Sequence, residues 1–351
     1  MIGIIGDLHL KEDLGYADYI SDRRIPEEKE VLDFIVESLK DCDKIVFMGD
    51  QLNSRTSSPH TIKKFVNFLE RFDKQELFIL AGNHEKFGDG RSAMDFLKEI
   101  TNKKWTVITN EVLEKDGLVF CPFFTKAEIE ATDNDDAIKK IMKMLPDGKA
   151  LFVHHTISDT LTTSGISTNM FSEPILSQKA LLKKYEWVIG GHIHNPQVEG
   201  TVVVAGAIFN NEVGELKRYV WKLDLEGKHK SGASKSSGPS QSLLQIELPG
   251  RAIYKLENPS DDDLKDIRKD SIIKVILTKK ITNDEIDKLK LKLKKFDAYI
   301  LLEQVPKERK KLHFGEGESL LEFDIEQLLE LYAKEKKVDI NKLKHGFELI
   351  K

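Results

Sequence analysis

Short runs of apolar residues alternate with amphipathic patterns along the first 225 residues. Such runs are typical of strands buried on both faces, whereas an apolar residue at every third or fourth position indicates a helix with one buried face. Strands are predicted over Ile2–Ile5, Lys44–Met48, Leu77–Ala81, Thr106–Ile108, Leu118–Phe120, Leu151–Val153 and Val188–Ile189. Helices are predicted from Pro26 through Leu39, over Ile62–Leu69 and over Ala137–Met144. Strands that alternate with helices predict an α/β domain, which we place at residues 1–227.

The composition changes after this domain. Lys230–Ser242 is small, polar and low in complexity, and is typical of a flexible loop or linker. A compact pattern follows, with a strand at Ile272–Leu277, a helix at Asp284–Phe296 and a strand at Tyr299–Val305. This predicts a small α+β domain over residues 243–311.

The C-terminal segment, residues 318–351, has two amphipathic helical stripes. Their apolar positions are Leu321, Ile325, Leu328, Leu329 and Tyr332, then Ile340, Leu343, Phe347 and Ile350. Such helices could pack on their own domain or dock on a partner protein, and the pattern leaves both open.

Charge and cysteine content narrow the class of protein. The formal net charge of −5 argues against a nonspecific nucleic-acid binder, yet residues 228–311 carry 20 Lys/Arg against 13 Asp/Glu. That local excess fits either a solvated lysine-rich surface or a nucleic-acid-binding one. Two cysteines, no signal-peptide pattern and no long apolar stretch favour a reducing, cytoplasmic setting without a membrane anchor.

Five polar clusters follow the ends of predicted strands. They are Asp7-Leu8-His9, Asp50-Gln51-Leu52-Asn53, Asn83-His84-Glu85, His154-His155 and His192-Ile193-His194. Open α/β sheets bind ligands at the carboxyl ends of their strands, so these clusters are expected at one sheet edge. Carboxylate, amide and imidazole ligands without cysteine suit Mn²⁺, Fe²⁺ or Zn²⁺. Glycines precede Asp7, Asp50, Asn83 and His192, where a tight turn is expected.

In this order the five clusters resemble the signature of the calcineurin-like metallophosphoesterase family. The resemblance implies a four-layer α/β/β/α sandwich with a centre of two divalent metal ions. It implies that Asp7, His9 and His194 hold the first ion, that Asn83, His155 and His192 hold the second, and that Asp50 bridges them. It further implies that His84 faces the substrate, as general acid or stabilising cation, and that Asn53 and Glu85 orient the ligands or His84.

The signature has one histidine between its third and last clusters, and this chain has two adjacent histidines there. His154 and His155 point to opposite faces if the strand continues through them. His155 is predicted as the ligand, because the residue before the ligand varies in the family.

The chain also resembles the nuclease branch of this family, which acts in DNA double-strand-break repair and recombination. The features that carry this resemblance are Gly15-Tyr16 after His9, the Arg23-Arg24 pair before a helix, the small basic domain and the helical tail. It implies a DNA exonuclease and endonuclease that uses Mn²⁺, or else Mg²⁺, with an SMC-like ATPase partner bound by the C-terminal helices. The short chain is closer to phage members than to cellular ones, and the branch often forms homodimers.

Other functions remain open at this point. The same fold serves small-substrate phosphatases and cyclic-nucleotide phosphodiesterases, although these need no basic extension. A non-catalytic scaffold would have lost ligands or His84, and this chain keeps all of these positions. Arg23 and Arg24 are expected to contact DNA from a loop, unless that loop is simply a polar surface.

Overall fold

The computed structural model describes residues 1–12, 21–100, 104–162, 167–170, 173–209, 217–226, 242–250, 253–269, 271–279, 282–296 and 299–304. This part of the chain forms a mixed α/β protein with two large mixed sheets. Its strands are β1 (Ile2–Ile5), β2 (Lys44–Phe47), β3 (Glu76–Leu80), β4 (Trp105–Ile108), β5 (Leu113–Lys115), β6 (Leu118–Cys121), β7 (Ala150–Val153), β8 (Thr156–Ile157), β9 (Ile175–Leu176), β10 (Trp187–Gly190), β11 (Gln197–Glu199), β12 (Val202–Val204), β13 (Tyr219–Leu223), β14 (Leu243–Glu247), β15 (Ile253–Glu257), β16 (Ile272–Leu277) and β17 (Tyr299–Gln304). Its α-helices are α1 (Ser21–Leu39), α2 (Pro59–Leu69), α3 (Asn134–Met144), α4 (Gln178–Leu181) and α5 (Asn283–Lys294), and short 3-10 helices span Asn83–Glu85, Asp95–Glu99 and Thr168–Met170.

Parallel strands form the centre of both large sheets. The first sheet has the order β14-β13-β1-β2-β3-β4, in which β1 to β4 are parallel. The second has the order β11-β12-β10-β7-β6-β5, in which β12, β10, β7 and β6 are parallel. The carboxyl ends of parallel strands meet at one edge of a sheet, so residues that follow β1, β2 and β3, or β7 and β10, are brought close together.

Apolar side chains from both sheets share one core. Phe78 of β3 stacks on Phe120 of β6 with ring centroids 4.3 Å apart, and Phe120 stacks on Phe152 of β7 at 5.3 Å. All three rings are fully buried, which explains why these strands appear in the sequence as continuous apolar runs.

Helices share a separate core with each sheet. Ile35 of α1 and Phe65 of α2 belong to one buried cluster with Ile45 of β2. Ile141 of α3 and Leu151 of β7 belong to another. The helical face predicted from the apolar spacing is therefore the buried face in α1, α2 and α3.

The strands and helices predicted within the described residues are present, with one consequential shift. Helix α1 begins at Ser21, five residues before Pro26, so Arg23 and Arg24 lie on the first turn of a helix. The prediction that they occupy a loop is wrong. Pro26 does not start the helix; it is the sixth residue of α1. The side chains of Arg23 and Arg24 lie outside the described part.

A third sheet, with the order β15-β16-β17, forms with α5 a small α+β unit that has its own apolar core. The core includes Ile273, Val275, Leu293 and Phe296. The predicted elements of this unit are confirmed, and β15 was not predicted. The domain boundaries at 1–227, 243–311 and 318–351 stay predictions.

By compactness, residues 1–277 and 281–303 form one unit, and residues 278–280 and 304–351 form a second. The predicted C-terminal helices, Gly15-Tyr16 and the linker up to Gln241 lie outside the described residues. Within the described ranges, no helix has the length and apolar character to span a membrane.

Candidate metal centre

The polar residues that follow β1, β2, β3, β7 and β10 converge in the structure. The side-chain ligand atoms of Asp7, His9 and His194 all lie within 4.8 Å of one another, and so do those of Asp50, His154 and His192. Two adjacent groups of donors are thus built by strands of both sheets, as expected from the topology.

In the first group the two histidine rings meet nitrogen to nitrogen. Nε2 of His9 lies 3.0 Å from Nε2 of His194. Asp7 accepts the backbone N–H of His192 through Oδ2 at 3.0 Å, whereas its buried Oδ1 has no hydrogen-bond partner among the described residues. A buried carboxylate oxygen without a donor is costly, and a cation at this position would satisfy it.

Asp50 lies between the two groups. Its Oδ2 is 3.8 Å from Nε2 of His9 in the first group and 3.3 Å from Nε2 of His154 in the second. Its Oδ1 accepts the backbone N–H of His84 at 2.9 Å, which fixes the carboxylate. This is the position that a bridging ligand needs.

Asn83 completes the second group through its amide oxygen. Oδ1 lies 3.2 Å from Nε2 of His154 and 2.9 Å from Nδ1 of His192. With Asp50, oxygen and nitrogen donors that follow four different strands therefore face one point. The donor set consists of carboxylate, amide and imidazole, which fits a hard or borderline divalent cation.

The structure places His154 in this group, and not His155. Nε2 of His155 accepts the backbone N–H of Phe124 at 3.1 Å, and its ring stacks on Phe123 with centroids 4.9 Å apart. The prediction of His155 at the centre is therefore corrected to His154. The two rings point to opposite sides, as strand alternation requires, but the side facing the centre is the one that carries His154.

His84 lies at the open side of the centre. Its side chain is 41% exposed, and its Nδ1 lies 2.8 Å from the backbone oxygen of Asn53. Because a carbonyl oxygen only accepts, Nδ1 carries the hydrogen and donates it. Nε2, which is 4.0 Å from Oδ2 of Asp50, is left to face a substrate. The backbone carbonyl of Asn53, and not its side chain, thus holds the His84 ring.

Glu85 organises the backbone beneath Asp50. It is fully buried, and its two carboxylate oxygens accept the backbone N–H groups of Asp50 at 3.0 Å, Gly82 at 2.7 Å and Leu52 at 2.7 Å. Burial, and then the nearby Asp50 carboxylate, raise the pKa of Glu85 to about 8, against the opposing effect of the backbone donors.

Glu173 is a site residue that the sequence does not reveal. Its Oε1 lies 3.0 Å from Nε2 of His192, the ring nitrogen opposite the one that faces Asn83. Thr156 also donates its hydroxyl to this oxygen. Glu173 belongs to no cluster at the end of a predicted strand, and no local signal in the sequence distinguishes it.

The backbone at the centre is strained. His9, Asp50 and His192 have φ of 46°, 51° and 72°, in the left-handed region that side chains other than glycine rarely adopt. Among the preceding glycines only Gly49 needs a positive φ, 105°. Gly82 is required by close approach instead, since a Cβ there would lie 2.1 Å from Oδ1 of Asp50.

The charges of the cluster favour a bound cation. Burial raises the pKa of Asp7 to about 6. Burial disfavours the charged form of His154, but the carboxylates of Asp50 and Asp7 raise its pKa to about 10. In the other direction, burial raises the pKa of Asp50, yet His154, His9 and His84 bring it below its usual range. The site thus holds a proton on His154, at a position where a bound metal cation would be stabilised.

A sequence profile of calcineurin-like phosphoesterases matches residues 1–196. The match covers more than half of the chain and contains every candidate residue of the centre, so the chain belongs to the calcineurin-like phosphoesterase family. This family uses divalent metal ions for phosphoester hydrolysis. No curated protein sequence matches the chain.

Proposed function

We propose that the protein is a metal-dependent DNA nuclease, with exonuclease and endonuclease activity, that acts in DNA repair and recombination. The observation that carries this proposal is the joined pair of donor groups, with Asp50 between them and His84 at their open side. The proposal includes the four-layer arrangement of the family and a cytoplasmic location in a bacterium or a phage-infected host cell.

The residues fit two divalent ions, for which we propose Mn²⁺ and, as the second choice, Mg²⁺. Asp7, His9 and His194 would hold one ion, Asn83, His154 and His192 the other, and Asp50 both. When bound, such ions neutralise charge on the phosphoryl oxygens and lower the pKa of the attacking water.

The chain's own contribution to the reaction centres on His84. Its Nδ1–H is held by the carbonyl of Asn53, so Nε2 is oriented toward the substrate side. A protonated ring there can donate its Nε2 proton to the leaving oxygen or stabilise the negative charge of the transition state. The buried side chains of Asp50 and Glu85 keep the backbone of this loop in place.

A polyanionic substrate is supported by the small α+β unit. Helix α5 presents exposed lysines at positions 288, 290, 292 and 294, and the exposed Lys295 directly follows it. Two of them are partly neutralised, Lys290 by Asp287 and Lys292 by Asp261, so only part of this charge is available for phosphates. We propose that this unit caps the phosphoesterase domain and contacts DNA.

The partner proposal rests on the sequence layout alone. An SMC-like ATPase would bind the helical tail at residues 318–351, and the active form could be a homodimer. Co-purification of the full chain with a candidate ATPase, compared with a chain ending at residue 317, tests the first part.

The nuclease proposal is tested with purified protein on linear double-stranded DNA, on single-stranded DNA and on a cyclic nucleotide. Reactions contain Mn²⁺, Mg²⁺ or a chelator, and His84→Ala serves as the matched control. DNA cleavage that needs metal and His84 is the expected result. Hydrolysis of the cyclic nucleotide without DNA cleavage would identify a small-substrate phosphodiesterase, and metal binding without any hydrolysis would identify a scaffold.

A further inference from the structure

Two arginines flank one aromatic ring close to His84. The guanidinium carbons of Arg55 and Arg91 lie 5.7 Å and 5.5 Å from the centroid of Phe87. Cation–π attraction at such distances restricts where the guanidinium groups can lie. The ring thus holds two positive charges in one place.

The ring itself is fixed by a tight turn. The backbone N–H of Phe87 donates to the carbonyl of Arg91 at 2.9 Å, and the N–H of Gly90 donates to the carbonyl of Phe87 at 3.1 Å. Arg91 is further held by Asp89, whose Oδ2 lies 2.8 Å from its Nε. The charge of Arg91 is therefore partly neutralised by Asp89, and its guanidinium group is held in a fixed position.

Unlike the guanidinium group of Arg91, that of Arg55 is available to a ligand. Its side chain is exposed, and Nη1 donates to the backbone carbonyl of Lys86 at 3.3 Å. In the part of the chain that the structure describes, no carboxylate pairs with it. An oriented guanidinium without a carboxylate partner suits a phosphate oxygen.

The position of Arg55 relates it to the reaction site. It follows by two residues Asn53, whose carbonyl holds His84, and it contacts Lys86, two residues after His84. Two residues span at most about 7 Å of chain, so Arg55 lies close to the Asn53 carbonyl that holds His84. Its hydrogen bond to Lys86 also links it to the loop that carries His84.

We propose that Arg55, Phe87 and Arg91 form a binding surface for the phosphodiester backbone of a nucleic-acid substrate, beside the phosphate that reacts. We refer to it as the Arg55–Phe87–Arg91 surface. Arg55 contacts the phosphate next to the reacting one. Phe87 and Arg91 fix the direction of the Arg55 guanidinium group. This inference rests on the proposed nuclease function, because only a substrate with more than one phosphate presents a neighbouring phosphate to Arg55.

The test compares Arg55→Ala with wild type on two substrates, a DNA oligonucleotide and the small diester bis(p-nitrophenyl) phosphate, in the full chain with Mn²⁺. We expect Arg55→Ala to raise KM for the oligonucleotide about tenfold and to lower the salt slope of binding by about 1, with small-diester kinetics unchanged. Arg55→Lys should recover part of the salt slope. Arg71→Ala, which removes an arginine already paired with Asp33, is the control.

Unchanged oligonucleotide KM and salt slope in Arg55→Ala would overturn the surface while the nuclease proposal stands. Equal losses on both substrates would also overturn it, because Arg55 would then act only by supporting the His84 loop. Wild-type protein that hydrolyses the small diester but neither cleaves nor binds DNA would overturn the nuclease proposal, and this surface with it.

Discussion

Oε1 of Glu173 lies 3.0 Å from Nε2 of His192, while Nδ1 of the same ring lies 2.9 Å from Oδ1 of Asn83. A carboxylate only accepts when ionised, so Nε2 carries the hydrogen and Nδ1 keeps its lone pair for a metal ion. Glu173 is therefore a positioning residue that sets the tautomer and the direction of the ring.

Replacing Glu173 by Ala should lower the affinity for the metal ions about 10- to 100-fold, because His192 loses its fixed tautomer and orientation. Glu173→Gln keeps an acceptor oxygen and should lose less. Isothermal titration with Mn²⁺ measures both variants, and circular dichroism checks their folding. Glu199→Ala, at an exposed position, is the control. Metal affinity that is the same in Glu173→Ala and wild type would show that His192 needs no such partner.

His154 and His155 should give opposite phenotypes. His154→Ala removes a ring that faces Asp50 and Asn83, and we expect it to bind fewer metal ions per chain. His155→Ala leaves the buried N–H of Phe124 without its acceptor, which costs about 1–3 kcal/mol of folding free energy but leaves the donor group complete. Metal analysis and thermal unfolding separate the two effects. Loss of metal in His155→Ala, with a normal content in His154→Ala, would restore the ligand predicted from the sequence.

Replacing His84 should impair turnover without impairing metal binding. We expect kcat of His84→Gln on DNA to fall by about 10²–10⁴-fold, with an unchanged metal content. The leaving group distinguishes the two roles of the ring. If Nε2 donates a proton, the loss is smaller for bis(p-nitrophenyl) phosphate, whose leaving group needs little help. If the ring acts only as a stabilising cation, the losses are similar for both substrates. Full activity of the variant on DNA would remove His84 from the reaction.

Metal uptake should depend on pH through His154. Because Asp50 and Asp7 raise the pKa of His154 to about 10, the metal-free protein holds a proton there at neutral pH. This proton stabilises the folded metal-free protein fully below about pH 6.5, and the effect is lost as pH rises toward 10. A metal ion must displace it, so apparent affinity rises with pH over the same window.

The measurement is the rise in Tm on adding Mn²⁺ at pH 6.5, 7.5 and 8.5. We expect the rise to grow with pH and calorimetry to detect proton release in buffers of different ionisation enthalpy. His154→Ala should lose the pH dependence. A metal-induced rise in Tm that is constant with pH would contradict the protonated state of His154.

The sequence predicts most of the two large sheets because their central strands are buried on both faces and so consist of uninterrupted apolar residues. It does not predict β13, which contains the buried Lys222 and reaches its place by antiparallel pairing of Trp221 with Ile4. Such long-range pairing leaves no local pattern. At the site, motif spacing predicts Asp7, Asp50 and Asn83. It does not predict Glu173, whose function arises only from its contact with His192.

Gly82→Ala tests whether close approach, and not backbone freedom, explains the glycine before Asn83. A Cβ at Gly82 would lie 2.1 Å from Oδ1 and 2.4 Å from the backbone N of Asp50, so the residue between the two donor groups must move. A displacement of about 1 Å in a catalytic constellation costs about 10²-fold in rate, and we expect at least such a loss in kcat/KM together with weaker metal binding. Gly88→Ala is the matched control in the same segment, because a Cβ there meets no atom within 4 Å. If Gly82→Ala retains the activity and metal affinity of Gly88→Ala, the Asp50 carboxylate does not need the contact geometry described above.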